Sequence, residues 1–271
     1  MIIIRVIAVI AFSISITYLF PAAHADINTR VVISGPGTPV PDYSRAGAGV
    51  AIIHNGEAYL FDAGDGVVMR AMEAQATLGI GELEPTRIKY LFFTHLHSDH
   101  IHDYSVLASG RWLRRSGKLH ACGPRGLKEF TDGMHKMMKV EADLRARGTP
   151  EDVISDPENY RVVVKEIQAG IILKKENLTE ELIEKAEGVD LLIHEVASSK
   201  GLSGLSKSWQ EYHNASHTTA QGLAEIASKS QPGILVLYHI LFFGVSAEEL
   251  LKEVKSIYKG NVILSRDLQV F

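Results

Sequence analysis

The sequence carries a single cysteine, Cys122, in 271 residues. That excludes a disulfide framework within the chain and a cysteine-rich zinc site. With no activating neighbour visible, Cys122 reads as a packed residue rather than a nucleophile. Aromatic residues are sparse at 7%, and the formal net charge is only −4. That balance offers no general attraction to a polyanion, so nucleic acid is not expected as a partner. Apolar residues make up 46% and charged residues 22%, which excludes a disordered chain, a collagen and a multi-span membrane protein. What the sequence does have is histidine, 12 in all, the side chain that titrates near neutral pH and the commonest metal ligand.

The N-terminus reads as a segment to be removed. Arg5 precedes an apolar run from Val6 to Phe20, Pro21 breaks it, and Ala23-His24-Ala25 follows. A basic start, an apolar middle and an A-x-A end describe a secretory signal peptide. The run is short of the roughly 20 residues of a spanning helix. Residues 1–25 are therefore expected to be a signal peptide and 26–271 a single periplasmic or secreted domain, off the membrane once cleaved.

Along that domain, Thr29 to Ser34 reads as a strand, followed by a Gly/Pro loop over 35–41. Asn55-Gly56 between two apolar runs predicts a hairpin, because both turn residues tolerate positive φ. Helices are expected at 66–77, 104–115, 126–147 and 178–186. Buried strands are expected at 88–94, 189–194 and 234–239, with further strands at 161–167 and 261–264. Thr218-x-x-Gln221 and Ser246-x-x-Glu249 each predict a capping box at a helix start. Residues 149–157 read as a surface loop. Hairpins first and strand–helix alternation later predict mixed sheets covered by helices in one α/β domain.

The chemistry concentrates in Thr94-His95-Leu96-His97-Ser98-Asp99-His100, at the end of a buried strand. Neutral imidazole and carboxylate both bind Zn²⁺, and a tight loop after a strand can splay them around one point. His95 and His97 could reach one ion, and Asp99 and His100 a second. The competing reading is a solvated polar loop.

HxHxDH after an apolar strand resembles the metallo-β-lactamase superfamily. The segments 32–41, Arg45-Ala-Gly-Ala-Gly49 and Leu60-Phe-Asp-Ala-Gly64 resemble the opening of its ribonuclease Z and arylsulfatase-like branch. So do Cys122-Gly-Pro-Arg-Gly-Leu127, His194-Glu195 with Ser216-His217-Thr218, and Tyr238-His239. The resemblance implies an αββα sandwich of two mixed β-sheets flanked by helices. It implies His95 and His97 at a first metal, and Asp99, His100 and His239 at a second, with Asp99 also acting on the water. Asp62 would support the metal loop from behind. His217 would protonate a leaving oxygen while Glu195 holds its ring. Alone, His239 could be a satisfied core histidine, Glu195 and His217 ordinary loop residues, and Asp62 the start of a turn.

The branch's third histidine for the first metal and its bridging aspartate have no counterpart here: no histidine occurs between His135 and His194. This predicts an internal deletion near Gly170 that removes one hairpin and both ligands. The expected function is an exported metal-dependent hydrolase that uses a metal-activated water on a phosphodiester, sulfate ester or other ester. It would hold one or two zinc ions, with manganese or iron as substitutes. Its partner would be a small-molecule ester, and a homodimer is allowed. A catalytically weak or inactive metal-binding homologue and a ribonuclease Z-type phosphodiesterase are the alternatives.

Overall fold

The computed structural model describes residues 29–114, 116–148, 160–167 and 182–271. The expected signal peptide, the 149–157 loop, the Gly170 junction with its missing hairpin, and the start of the 178–186 helix all lie outside these residues. Ten strands and eight helices are labelled among them. The strands are β1 Thr29–Gly35, β2 Gly49–His54, β3 Glu57–Phe61, β4 Tyr90–Phe92, β5 His120–Gly123, β6 Val163–Glu166, β7 Leu191–Ala197, β8 Ile234–Leu241, β9 Val262–Leu264 and β10 Gln269–Val270. The helices are α1 Val67–Leu78, α2 Ser98–Ile101, α3 Tyr104–Leu113, α4 Leu127–Gly148, α5 Ser199–Ser203, α6 Lys207–Ser216, α7 Ala220–Ser230 and α8 Ala247–Ile257. No described helix is long and apolar enough to cross a membrane.

The strands form two sheets, one in the order β10-β1-β2-β3-β4-β5-β6 and one in the order β7-β8-β9. The first is mixed: pairing is antiparallel from β10 to β3 and parallel from β3 to β6. The described pairings of the second are parallel. Side chains alternate across a strand, and the core follows that alternation. Val31 and Ile33 of β1 meet Leu191 and Ile193 of β7 and Val236 and Tyr238 of β8 between the sheets. Val32 faces the opposite way, into the layer formed with α1, α3 and α4. Leu192, Leu235 and Leu237 face α7 and α8 on the other side. Helix, sheet, sheet and helix are thus stacked as four layers, because each sheet presents apolar residues on both faces.

Local signals explain most element ends. Asn55 and Gly56 take φ of 50° and 78° between β2 and β3, as the hairpin requires. The Ser246–Glu249 capping box opens α8 with both reciprocal bonds made. The expected box at Thr218 is not formed. Thr219 is the N-cap of α7 and accepts from the Gly222 amide, while the Gln221 side chain turns to Glu225. Thr218 is drawn one step back because its own amide is spent on Glu195. The expected loop over 98–101 is instead the single helical turn α2.

The segment carrying that turn is clamped by backbone. Ala48 N–H donates to the Asp99 carbonyl (2.9 Å), Ala63 N–H to the His100 carbonyl (2.7 Å), and Asp103 N–H to the Ala63 carbonyl (2.8 Å). Gly64 permits this approach. A Cβ there would lie 2.1 Å from the Asp99 carbonyl oxygen and 2.5 Å from the Ala48 nitrogen. Neither atom can move without breaking the clamp, so Gly64→Ala should lower unfolding free energy by about 1–3 kcal/mol, the range for overpacking a tight site. Urea denaturation of the two proteins measures this; an unchanged midpoint would refute the clamp.

Candidate metal centre

Three segments distant in sequence meet at one end of the sandwich. The turn after β4 brings Asp99 and His100, the end of β8 brings His239, and the end of β7 with the start of α7 brings Glu195 and His217. Asp99, His100 and His239 are all buried, and one potential donor atom from each lies within 4.8 Å of the other two.

His239 reaches this point through a β-bulge. Glu195 pairs with Tyr238 and Val196 with Ile240, so His239 is the extra residue of β8. Its φ is +44°, a conformation that costs a non-glycine residue about 1–2 kcal/mol. A bulge re-aims a side chain off the strand's normal alternation, and here Nε2 comes to 2.9 Å from Asp99 Oδ2. A strained residue held at a site is a pointer to function.

Asp62 stands behind His100. His100 Nδ1 donates to Asp62 Oδ2 (2.9 Å), and Asp62 also accepts from the Thr94 amide (2.8 Å) and hydroxyl (2.7 Å). Its role in the structure is to fix the ring of His100 and the end of β4, which leaves His100 Nε2 facing Asp99 at 3.4 Å. Burial opposes charge on His100, but its hydrogen bond to Asp62 and the nearby Asp99 carboxylate override it and raise its pKa to about 9. Burial likewise opposes ionisation of Asp99, yet the His100 ring 3.4 Å away and the hydrogen bond from His239 hold its carboxyl far below the usual range.

His95 and His97 form a second, more open group. His95 Nε2 is 3.0 Å from His97 Nδ1, and the His95 and His100 ring centroids are 3.9 Å apart. Burial, then the neighbouring His100, lowers the pKa of His95 to about 4, so its ring is neutral at pH 7, the form that donates a lone pair. Neither residue belongs to a donor group of three or more among the described residues.

Glu195 and His217 sit against His239. Their donor atoms also lie within 4.8 Å of one another and of His239. His217 Nδ1 donates to Glu195 Oε2 at 3.2 Å, and the Thr218 amide donates to Glu195 Oε1 at 2.6 Å. Burial would raise the pKa of Glu195, but the His217 hydrogen bond keeps it lowered. Both Glu195 oxygens are thus engaged, one by the His217 ring and one by the Thr218 amide.

The donors fit a divalent ion. Asp99 Oδ1 and His100 Nε2 are buried with no hydrogen-bond partner, an arrangement that costs stability unless something else satisfies them. Two imidazoles and a carboxylate match the protein donors of a catalytic zinc site. His100 would exchange its proton on binding an ion.

Sequence reasoning missed Asp103. Its carboxylate accepts from the Val68 amide at 2.8 Å, tying the start of α1 to the metal segment. The only signal was an acid three residues after the HxHxDH run. Trp209 and Tyr212 on α6 were likewise missed, though His213 beside them reads from the sequence as a residue near the rim.

The profile of the metallo-β-lactamase superfamily matches residues 46–192, more than half of the chain. The ribonuclease Z of Mycobacterium sp. (strain KMS) is 28% identical over 251 residues, covering 78% of this chain and 84% of that protein. These aligned positions outnumber the residues of this chain that they cover, so the relative has residues without counterparts here. The ribonuclease Z of Mycolicibacterium gilvum (strain PYR-GCK) is 30% identical over 154 residues, 55% of this chain and only 50% of that protein. In structure, the metallo-beta-lactamase fold protein YhfI from Bacillus subtilis superimposes with a TM-score of 0.64 at 18% identity, covering 90% of this chain and 98% of that one; this likeness shows the fold alone. Relatives that are ribonucleases overturn the expectation that nucleic acid is no partner and that the substrate is a small ester. Net charge averages over a whole surface, whereas a metal site supplies its own local positive charge to a phosphate. A family match over half the chain, a matching sandwich and a donor set that suits a divalent ion lead to one conclusion: the chain belongs to the metallo-β-lactamase superfamily and is a metal-dependent hydrolase of that family.

Proposed function

We infer that the ester bond this hydrolase cleaves is a phosphodiester, as in a ribonuclease Z-type enzyme. The observation that carries the reading is the Glu195–His217 pair, 3.2 Å apart and set directly against His239. As a proton donor, His217 would stand beside the candidate metal donors, where a departing oxygen would need one. The ribonuclease Z relatives support the same reading.

Asp99, His100 and His239 would hold the ion, which when bound polarises an ester oxygen and acidifies a water. The protein's own residues set the geometry. Asp62 locks the His100 ring. The Gly64 contact fixes the backbone of Asp99. Glu195 holds His217 so that its second ring nitrogen remains available to give a proton to the leaving oxygen, a step worth 10²–10⁴-fold by analogy with other general acids.

The zinc-loaded chain should hydrolyse bis(p-nitrophenyl) phosphate faster than p-nitrophenyl sulfate or p-nitrophenyl acetate. Release of nitrophenolate from each substrate, with and without a chelator, measures this. Preference for the sulfate or the carboxylic ester would overturn the phosphodiester reading.

A further inference from the structure

Helix α6 is unusual in this fold, for none of its side chains is buried. It nevertheless carries Trp209, Tyr212 and His213, at i, i+3 and i+4, on one face. Trp209 and Tyr212 are 56% and 51% exposed. The Trp209 and Tyr212 rings stand at 87° with centroids 5.7 Å apart, making an open notch with one flat wall. Core packing does not explain a large exposed indole on such a helix.

The rings lead somewhere. Trp209 stacks on His213 (5.6 Å, 22°), His213 faces His217 (5.5 Å, 33°), and His217 stacks on His239 (6.1 Å, 20°). Phe243, from the loop after β8, closes on His213 at 4.6 Å. A continuous file of rings therefore runs from solvent to the candidate metal centre. Lys207 and Glu211 are the only charged residues of α6 and cancel in sign, so this surface offers π-faces rather than a charged groove.

We propose that Trp209 and Tyr212 form a stacking platform for an unpaired base of single-stranded RNA, next to the nucleotide whose phosphodiester is cleaved. The proposal rests on the phosphodiester reading above and names the substrate class of that site. Aromatic platforms bind single-stranded nucleic acid because every base has a π-face, and losing one such ring weakens binding by roughly ten-fold or more. With Lys207 and Glu211 of opposite sign on α6, this helix face has no cluster of cations for phosphates, which makes stacking the route to affinity it offers.

The test uses indole fluorescence of the full, zinc-loaded chain. The sequence has two tryptophans; Trp112 is buried and Trp209 exposed, so the difference between wild type and Trp209→Leu isolates the platform. Titration with a single-stranded oligoadenylate decamer should give saturable quenching. Trp209→Leu should lose that signal and show at least ten-fold weaker binding by fluorescence anisotropy of a labelled decamer. Trp209→Phe, which keeps a ring, should bind within about three-fold of wild type. Heparin, a polyanion without bases, should not quench. Quenching by heparin as strong as by RNA, equal affinity in Trp209→Leu, or binding of an apolar peptide with none of RNA would each overturn the platform. Turnover of bis(p-nitrophenyl) phosphate separates the two ideas. Turnover without RNA quenching removes the platform alone, and RNA quenching without any phosphodiester turnover keeps the platform and removes the phosphodiesterase reading.

Discussion

Asparagine in place of His239 should leave a folded protein that has lost its tightly held ion and about a thousand-fold of its hydrolytic rate. The choice of asparagine matters. His239 is at φ +44° in a bulge, and asparagine is one of the few residues that accept the left-handed region readily. His239→Ala would confound loss of the ring with backbone strain. The expected loss follows from the donor set. Asp99, His100 and His239 are the buried group whose donor atoms converge within 4.8 Å, and removing one ring leaves two donors. Lewis-acid stabilisation is worth several kcal/mol, and about 4 kcal/mol corresponds to roughly 10³ in rate. Metal content by atomic emission should fall from about one equivalent to a small fraction, while circular dichroism stays that of the parent. A variant that keeps a full equivalent and turns over within ten-fold of the parent would take His239 out of the centre.

His217→Ala should act differently. Its metal content should stay near that of the parent, while turnover of a phosphodiester with a poor, alkoxide-like leaving group falls about 10²–10³-fold. The loss should be much smaller with a nitrophenolate leaving group, which departs without help from a proton. Glu195→Gln should show the same leaving-group pattern in milder form, because Glu195 orients the ring (3.2 Å) and is itself tied to the Thr218 amide. Equal losses for both leaving groups would argue against proton donation. Loss of metal in His217→Ala would instead make His217 a ligand, which the Glu195–His217–His239 grouping permits sterically.

The sequence exposes the site unevenly, and the reason is physical. His95, His97, Asp99 and His100 are legible because the residues that cooperate are neighbours in the chain. Tyr238-His239 is legible only by resemblance. Nothing in Ile234–Leu241 announces a bulge, since the extra residue exists only relative to the pairing of β7 and β8. Thr218 is a reasonable N-cap by pattern, but a tertiary bond from its amide to Glu195 moves the cap to Thr219. Helices α5 and α6 escape a periodicity reading because α5 is five residues long and α6 buries no side chain. The clamp of Ala48, Ala63 and Gly64 on the metal segment is invisible to local reasoning for the same cause: its partners are between about 35 and 50 positions away. The long strands, by contrast, follow from apolar runs, and the four-layer stack from their number and order.

The family match itself ends at residue 192, before Glu195, His217 and His239. Asp99 and His239, 2.9 Å apart, are separated by 140 positions. In a chain with one cysteine, this contact is a clasp between the half of the sequence that supplies all of the large sheet but β10 and the half that supplies β10 and the small sheet. Bringing such distant positions together has an entropic cost that only both completed halves can offset. A truncated chain that ends anywhere before residue 239 would keep the histidine-rich turn but only part of the cage around it.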